Sequence, residues 1–302
     1  MTGSRILLSG LVFCVCLALP RGDAAPPPVD VKTGRHQVGP FTRRGAMTHV
    51  VRLSRRIGIR VRTPPGERAG ARYVARRFRA LGYSVHVQRF HVDGRTSRNV
   101  VAWWPGARRY PVVVGAHMDT VTGSPGANDN ASGVAVMLET ARIVAGTGRA
   151  ELLRFVAFGA EEYGRNGKHH VGSDVFVDRL GRKGRRRLAG MISVDMVADG
   201  RPLLVATAGI GPRRIANRFA GIARARGIAV DRRTTCDCSD NGPFERAGIT
   251  GALLWSGPEP NYHDASDKIG NLDPADLVRT GRALRFFVKE LDVRMLRRLR
   301  RA

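Results

Sequence analysis

The chain has 302 residues, 43% of them apolar, which excludes a disordered polypeptide and allows one large domain with a sizeable core. Its 51 basic residues outnumber 25 acidic ones, giving a formal net charge of +26. The basic residues are scattered, with no nucleic-acid-binding motif among them, so no nucleic-acid partner is expected; attraction to an anionic cell surface or to acidic substrates stays open.

The first residues read as an export signal. Arg5 supplies a positive start, Ile6 to Leu19 is an apolar run, Pro20 ends it, and Gly22-Asp23-Ala24 offers a small-x-small cleavage site. The run is short for a membrane-spanning helix. A signal peptide over residues 1–24 and a secreted, extracellular mature chain are therefore expected, with an uncleaved anchor as the rival reading. No later segment is long and apolar enough to span a membrane. Cys14 and Cys16 leave with the signal, so Cys236 and Cys238 remain. They can form one Cys-x-Cys disulfide in an oxidising compartment or act as a soft-metal pair, although no second cysteine pair completes a four-ligand site.

Residues 25–45, with Pro26-Pro27-Pro28, read as a linker or N-terminal arm, and residues 46–295 as a single domain. The segment 64–82 reads as a helix. Pro64-Pro65-Gly66 opens it, Ala71, Val74, Ala75, Phe78 and Leu81 recur at helical spacing, and Gly82 closes it. Tyr83 to Phe90 alternates like a strand, and a second strand runs from Ser97 to Trp103-Trp104.

From there strands and helices follow in turn. Pro111 to Gly115 is a short buried strand running into His117, and Ala131 to Ala145 a helix with Val134, Met137, Leu138, Ala141 and Val144 on one face. Leu152 to Phe158 runs into Glu161-Glu162, and Met191 to Val194 ends at Asp195. Leu203 to Ala206 and Ala252 to Trp255 are two more strands. Asp273-Pro274 caps a last helix. The run 182–187 reads as a solvated turn and 296–302 as a frayed basic tail. The alternation predicts an α/β fold: a mixed, largely parallel central sheet flanked by helices.

His117, Glu161, Glu162 and Asp195 each follow a short apolar strand, where open α/β sheets bind ligands. A hydrolytic metal site needs imidazole and carboxylate donors, and these positions supply both. Asp119 shares a face with His117 in extended backbone and can orient it. Asp129, in a flexible loop before a helix, can bridge two cations, and the adjacent glutamates can divide into a ligand and a base. Tyr262-His263 adds a ligand beside a phenol.

The motifs Ala116-His117-Met118-Asp119-Thr120, Asn128-Asp129-Asn130-Ala131-Ser132-Gly133, Phe158-Gly159-Ala160-Glu161-Glu162, Val194-Asp195-Met196 and Tyr262-His263 occur in this order. Together they resemble the secreted co-catalytic two-zinc aminopeptidases of the bacterial aminopeptidase S and yeast aminopeptidase Y type, over about residues 50–291. The resemblance implies a zinc-exopeptidase fold, a peptide or protein N-terminus as substrate, and two zinc ions per chain; the sequence leaves the oligomeric state open, with a monomer expected. His117 and Asp195 would hold one ion and Glu162 and His263 the other, with Asp129 between them. It further implies Glu161 as general base, Tyr262 as oxyanion support and Asp119 as the partner of His117. Glutaminyl cyclases with one zinc, carboxypeptidases and non-catalytic binding modules share the scaffold and are the alternatives.

Three features depart from the family pattern and leave the pocket's shape open. These are Ala198 in place of Gly, Asn241 in place of His, and a longer loop after Glu162 that includes Asn166-Gly167-Lys168-His169-His170. His169 and His170 read as surface loop residues, as do His36, His49, His86 and His91. Asp240 either lines the substrate pocket or caps a turn before Pro243.

Overall fold

The computed structural model describes residues 37–63, 65–107, 110–164, 167–200, 202–257 and 259–300. The export-like segment, His36 and the proline-rich start of the arm lie outside these residues.

Thr42 opens helix α1 (Arg43–Val50) from an extended backbone, its hydroxyl accepting the Gly45 N–H. Helix α2 (Pro65–Ala80) ends before Gly82, whose φ of +87° lets the chain turn into the sheet. Strands β1 (Ser84–Val92) and β2 (Arg95–Trp103) form a hairpin closed by Asp93-Gly94, both left-handed. An Asp-Gly pair is a favoured two-residue hairpin turn because both central residues need positive φ.

The chain continues through β3 (Val112–His117), α3 (Gly133–Val144), β4 (Leu153–Phe158), α4 (Val171–Arg185), β5 (Gly190–Val194), β6 (Leu203–Thr207), α5 (Arg214–Ala225) and β7 (Val230–Thr234). It ends with α6 (Asn241–Arg246), β8 (Gly251–Trp255), α7 (Pro274–Glu290) and α8 (Val293–Arg300). The eight strands form one sheet in the order β1-β2-β4-β3-β5-β8-β6-β7. The neighbours β4/β3, β3/β5, β5/β8 and β6/β7 are parallel; β1/β2, β2/β4 and β8/β6 are antiparallel. The sheet is thus mixed and largely parallel at its centre, as the alternation of elements predicts.

Helices cover both faces. Val112, Val114 and Ala116 of β3 join a core with Val134 and Leu138 of α3, Phe219 of α5 and Phe287 of α7. Val113, one residue out of phase, packs on the other face with Phe176 of α4 and Phe244 of α6. Burial on two faces is why β3 reads as an unbroken apolar run.

Both ends of the domain are more ordered than the sequence suggests. Phe41 is buried and the Gly39 N–H donates to the Ile143 carbonyl, so the described end of the expected arm lies against α3. Of the expected frayed tail, residues 296–300 belong to helix α8, with Met295, Leu296 and Leu299 buried; 301–302 lie outside the described residues. The surrounding arginines mask that short apolar stripe in the sequence. Of the 182–187 run, Arg182 to Arg185 form the last turn of α4 beyond a kink at Gly181. No described helix is long and apolar enough to cross a membrane.

Candidate metal centre

Strand β3 has β4 on one side and β5 on the other, so the chain crosses over at β3 and opens a crevice beyond the carboxyl ends of these strands. His117 ends β3, Glu161 and Glu162 follow β4, and Asp195 follows β5. The structure brings these residues together with Asp129 and His263. His117 Nε2 lies 3.1 Å from Asp129 Oδ1 and 3.2 Å from Asp195 Oδ1. His263 Nε2 lies 3.3 Å from Asp129 Oδ2 and 3.0 Å from Glu162 Oε2. Two three-residue donor clusters therefore share Asp129, one carboxylate oxygen in each.

Tertiary contacts place Asp129. Asp267 accepts the N–H groups of Asn128 and Asp129 at 2.7 and 3.0 Å, one on each carboxylate oxygen. Asn128 and Asn130 tie the same loop to the end of β5, through the Ala198 N–H and the Val194 carbonyl. The Asp129–Asn130 peptide is cis. Arg60 is wholly buried and donates to the carbonyls of Leu53, Gly58, Met118, Pro125 and Gly126. Burial lowers its pKa to about 10, opposed by Asp267 and Asp119, so it stays charged at neutral pH and pins the loop leading to Asp129. In the sequence nothing distinguishes Arg60 from 45 other arginines until the fold buries it.

Asp119 is placed differently from the expectation. Its carboxylate is 3.8 Å from His117 Nδ1, beyond hydrogen-bond distance, and instead accepts the N–H groups of Glu161 and Glu162, both at 3.1 Å. It thereby fixes the turn that presents both glutamates. Ser239 Oγ donates to Asp195 Oδ2 at 2.8 Å. Tyr262 is half exposed, its ring stacked on His263 with centroids 3.7 Å apart.

Two histidines expected at the surface are buried. His170 is 1% exposed, and its Nε2 lies 3.2 Å from Glu161 Oε1 and 2.7 Å from His169 Nδ1. His49 pairs through Nδ1 with the Tyr73 hydroxyl at 2.6 Å, and burial pushes its pKa down to about 3. His86 and His91 are exposed as expected, and His169 is partly buried. No periodicity marks His170 in the sequence; the one signal was the lengthened loop that contains it. Asp240 precedes α6 without capping it through its side chain; it is fully buried, and desolvation pushes its carboxyl up to about 7.

The charge balance asks for a cation. Desolvation raises Glu161 well above the usual carboxylate range and Glu162 to about 7, the latter helped by Asp129. Burial opposes protonation of His117, but Asp195, Glu161 and Asp129 outweigh it and hold the imidazole well above its ordinary value. His263 rises to about 10, burial being outweighed by Asp129 and Glu162. Glu162 Oε1 is buried with no hydrogen-bond partner among the described residues. Imidazole and carboxylate donors in two triads, with a lone pair unused, fit divalent zinc.

Residues 99–288, more than half of the chain, match the model of peptidase family M28. The chain is 30% identical over 257 residues to leupeptin-inactivating enzyme 1 of Streptomyces exfoliatus, covering 76% of this chain and 57% of that protein. It is 34% identical over 200 residues to aminopeptidase YwaD of Bacillus subtilis, covering 62% and 43%. It thus spans about half the length of these curated relatives. Its fold is shared with a zinc aminopeptidase from Bacillus subtilis, at a TM-score of 0.76 and 21% identity over 84% of this chain and 96% of that one.

Proposed function

This chain belongs to peptidase family M28, and on that premise we propose that it is a zinc-dependent aminopeptidase that removes residues from peptide or protein N-termini. One observation carries the reading: Asp129 offers one oxygen to each of two donor triads, His117–Asp195 and Glu162–His263. Two zinc ions bound there would polarise the scissile carbonyl and lower the pKa of the attacking water.

The chain's own groups handle the protons. Glu161 is buried and belongs to neither half of the bridged pair; its Oε2 faces His117 Nε2 at 3.9 Å. It takes the proton from the attacking water and returns it to the leaving amine. Tyr262, at the mouth, is kept protonated because desolvation and then the surrounding carboxylates raise its pKa; its hydroxyl donates to the developing oxyanion. Asp119 aligns the glutamate pair, and Ser239 orients Asp195.

The mature chain is exported and starts near Ala25. The Cys236–Cys238 disulfide, which resolves the two readings left open for these cysteines, supports an oxidising destination. Its basic surface attracts it weakly to anionic envelopes.

The test combines metal analysis with chromogenic aminoacyl substrates, free or blocked at the amino end. About two zincs per chain are expected, with hydrolysis confined to free amino ends, abolished by a chelator and restored by zinc. A single zinc with cyclisation of N-terminal glutamine, or hydrolysis of amino-blocked substrates alone, would overturn the reading.

A further inference from the structure

His170 is a buried group that this chemistry leaves unused. Its backbone is left-handed, with φ of +54°, a conformation that the Cβ of an L-residue disfavours. Glycine meets that demand elsewhere in the same loop, at Gly167 with φ of +69°. A bulky imidazole at residue 170 therefore calls for a reason beyond the turn.

The contacts around it converge on Glu161. The His170 N–H donates to the Glu161 carbonyl at 2.8 Å, and the next N–H, of Val171, donates to the Ala160 carbonyl at 3.0 Å. The ring then reaches forward, placing Nε2 3.2 Å from Glu161 Oε1. Behind it, His169 Nδ1 lies 2.7 Å from the same nitrogen, and Tyr163 stacks on His169 with centroids 4.4 Å apart. The packing leaves no slack: a Cβ on Gly172 would come within 2.1 Å of the Gly159 carbonyl oxygen.

Glu161 needs such a partner. Glu162, Asp129 and Asp195 have places in the two triads that share Asp129, whereas Glu161 stands outside those two and groups instead with His117 and Glu162 as a third set of possible donors. An untethered glutamate has three side-chain torsions and could swing onto a metal, where it would no longer serve as a base. We propose that His170 is a positioning residue for the general base: its ring holds Glu161 Oε1, so that Oε2 stays aimed at the space beside His117. The inference rests on the reading of Glu161 given above.

The test uses His170→Gly, which suits the left-handed backbone and removes only the ring, and His170→Gln, which keeps a side-chain hydrogen bond. His170→Gly should lower kcat by about 10–100-fold, with KM within about twofold of wild type and zinc content unchanged. Imidazole, added below the concentration at which wild-type enzyme loses zinc, should restore part of kcat, and His170→Gln should fall between the two. Crystal structures of wild type and His170→Gly should differ in the placement of the Glu161 carboxylate. An unchanged kcat with Glu161 in place, or a loss of kcat that follows a loss of zinc, would overturn the proposal. Should wild-type protein carrying zinc hydrolyse no aminoacyl substrate, the proposed function fails, and the position of Glu161 in the two crystal structures still decides the role of His170. If His170→Gly does not fold, His170→Ala, which also removes the ring, supplies the same comparison.

Discussion

The two halves of the candidate centre share Asp129 and differ in what carries them. His117 and Asp195 sit at the ends of β3 and β5, whose parallel register aligns Gly115 with Ser193, and the His117 side chain is 2% exposed. His263 hangs on the loop before α7, in a left-handed conformation with φ of +59°, and its side chain is 29% exposed. The donor chemistry is nearly the same, but both end ligands of one half sit at strand ends in a two-sided core, whereas the other half sets Glu162, just after β4, against His263 on a turn. A preformed site binds more tightly than one that must be ordered on binding, so rigidity rather than ligand type should separate the two halves.

The largest effect should come from a residue outside the bridged pair. Glu161→Gln keeps shape but cannot accept the proton, and turnover should fall by about 10²–10⁴-fold with zinc content unchanged. Glu162→Gln should instead lose zinc first, from the loop-borne half. Turnover and zinc measured side by side separate them; equal zinc loss in both variants would show that the roles of the glutamates are misassigned.

Asp129→Asn should loosen both halves at once, while His263→Ala should spare the sheet-borne half and leave about one zinc per chain. In wild type, a chelator titration should remove zinc in two phases, the first from the loop-borne half. A single phase, or one zinc remaining in Asp129→Asn, would break the comparison.

A smaller change should follow from Ser239→Ala, which removes the hydroxyl bonded to Asp195 Oδ2. The sheet-borne half should lose about tenfold in zinc affinity, the low end of the usual range for outer partners, and the two chelation phases should draw together. If they stay as far apart as in wild type, Ser239 contributes nothing to that half.

The smallest effect lies away from both halves, and concerns acid stability. His49 has a folded pKa near 3 against 6.5 when unfolded. Its contribution is fully present above 6.5 and is lost as pH falls from there towards 3, because the unfolded chain then binds a proton that the folded chain does not. Tm should therefore drop more between pH 7 and 4.5 in wild type than in His49→Gln. Parallel curves would mean that His49 gains its proton without unfolding.

Much of the fold was legible because two-sided burial leaves its mark on a sequence: β3, β4, β5 and β8 are apolar runs bounded by turn residues. Helices α1, α4, α5 and α6 are not legible in the same way: α6 is only six residues long, and in α1, α4 and α5 arginines interspersed along the segment break up the apolar positions. The five metal-ligand candidates could be picked out because four of them lie near a strand end or a marked turn, and their residue types suit one chemistry. What remained hidden depends on where the chain returns. Arg60 is surrounded by carbonyls from five residues as far away as Gly126, Asp119 turns to backbone amides 42 and 43 positions on, and Asp267 reaches back to Asn128 and Asp129.

The sequence by itself determined the α/β alternation and the set of imidazoles and carboxylates poised at strand ends, because periodicity and residue chemistry are local properties. Only the tertiary structure decided that Asp129 divides its oxygens between two triads, that Asp119 serves the glutamates, and that His170 lies buried against Glu161. The physical reason is that a hydrogen bond a few ångströms long between residues far apart in the chain is set by packing, and packing leaves no periodic trace in the residues it joins.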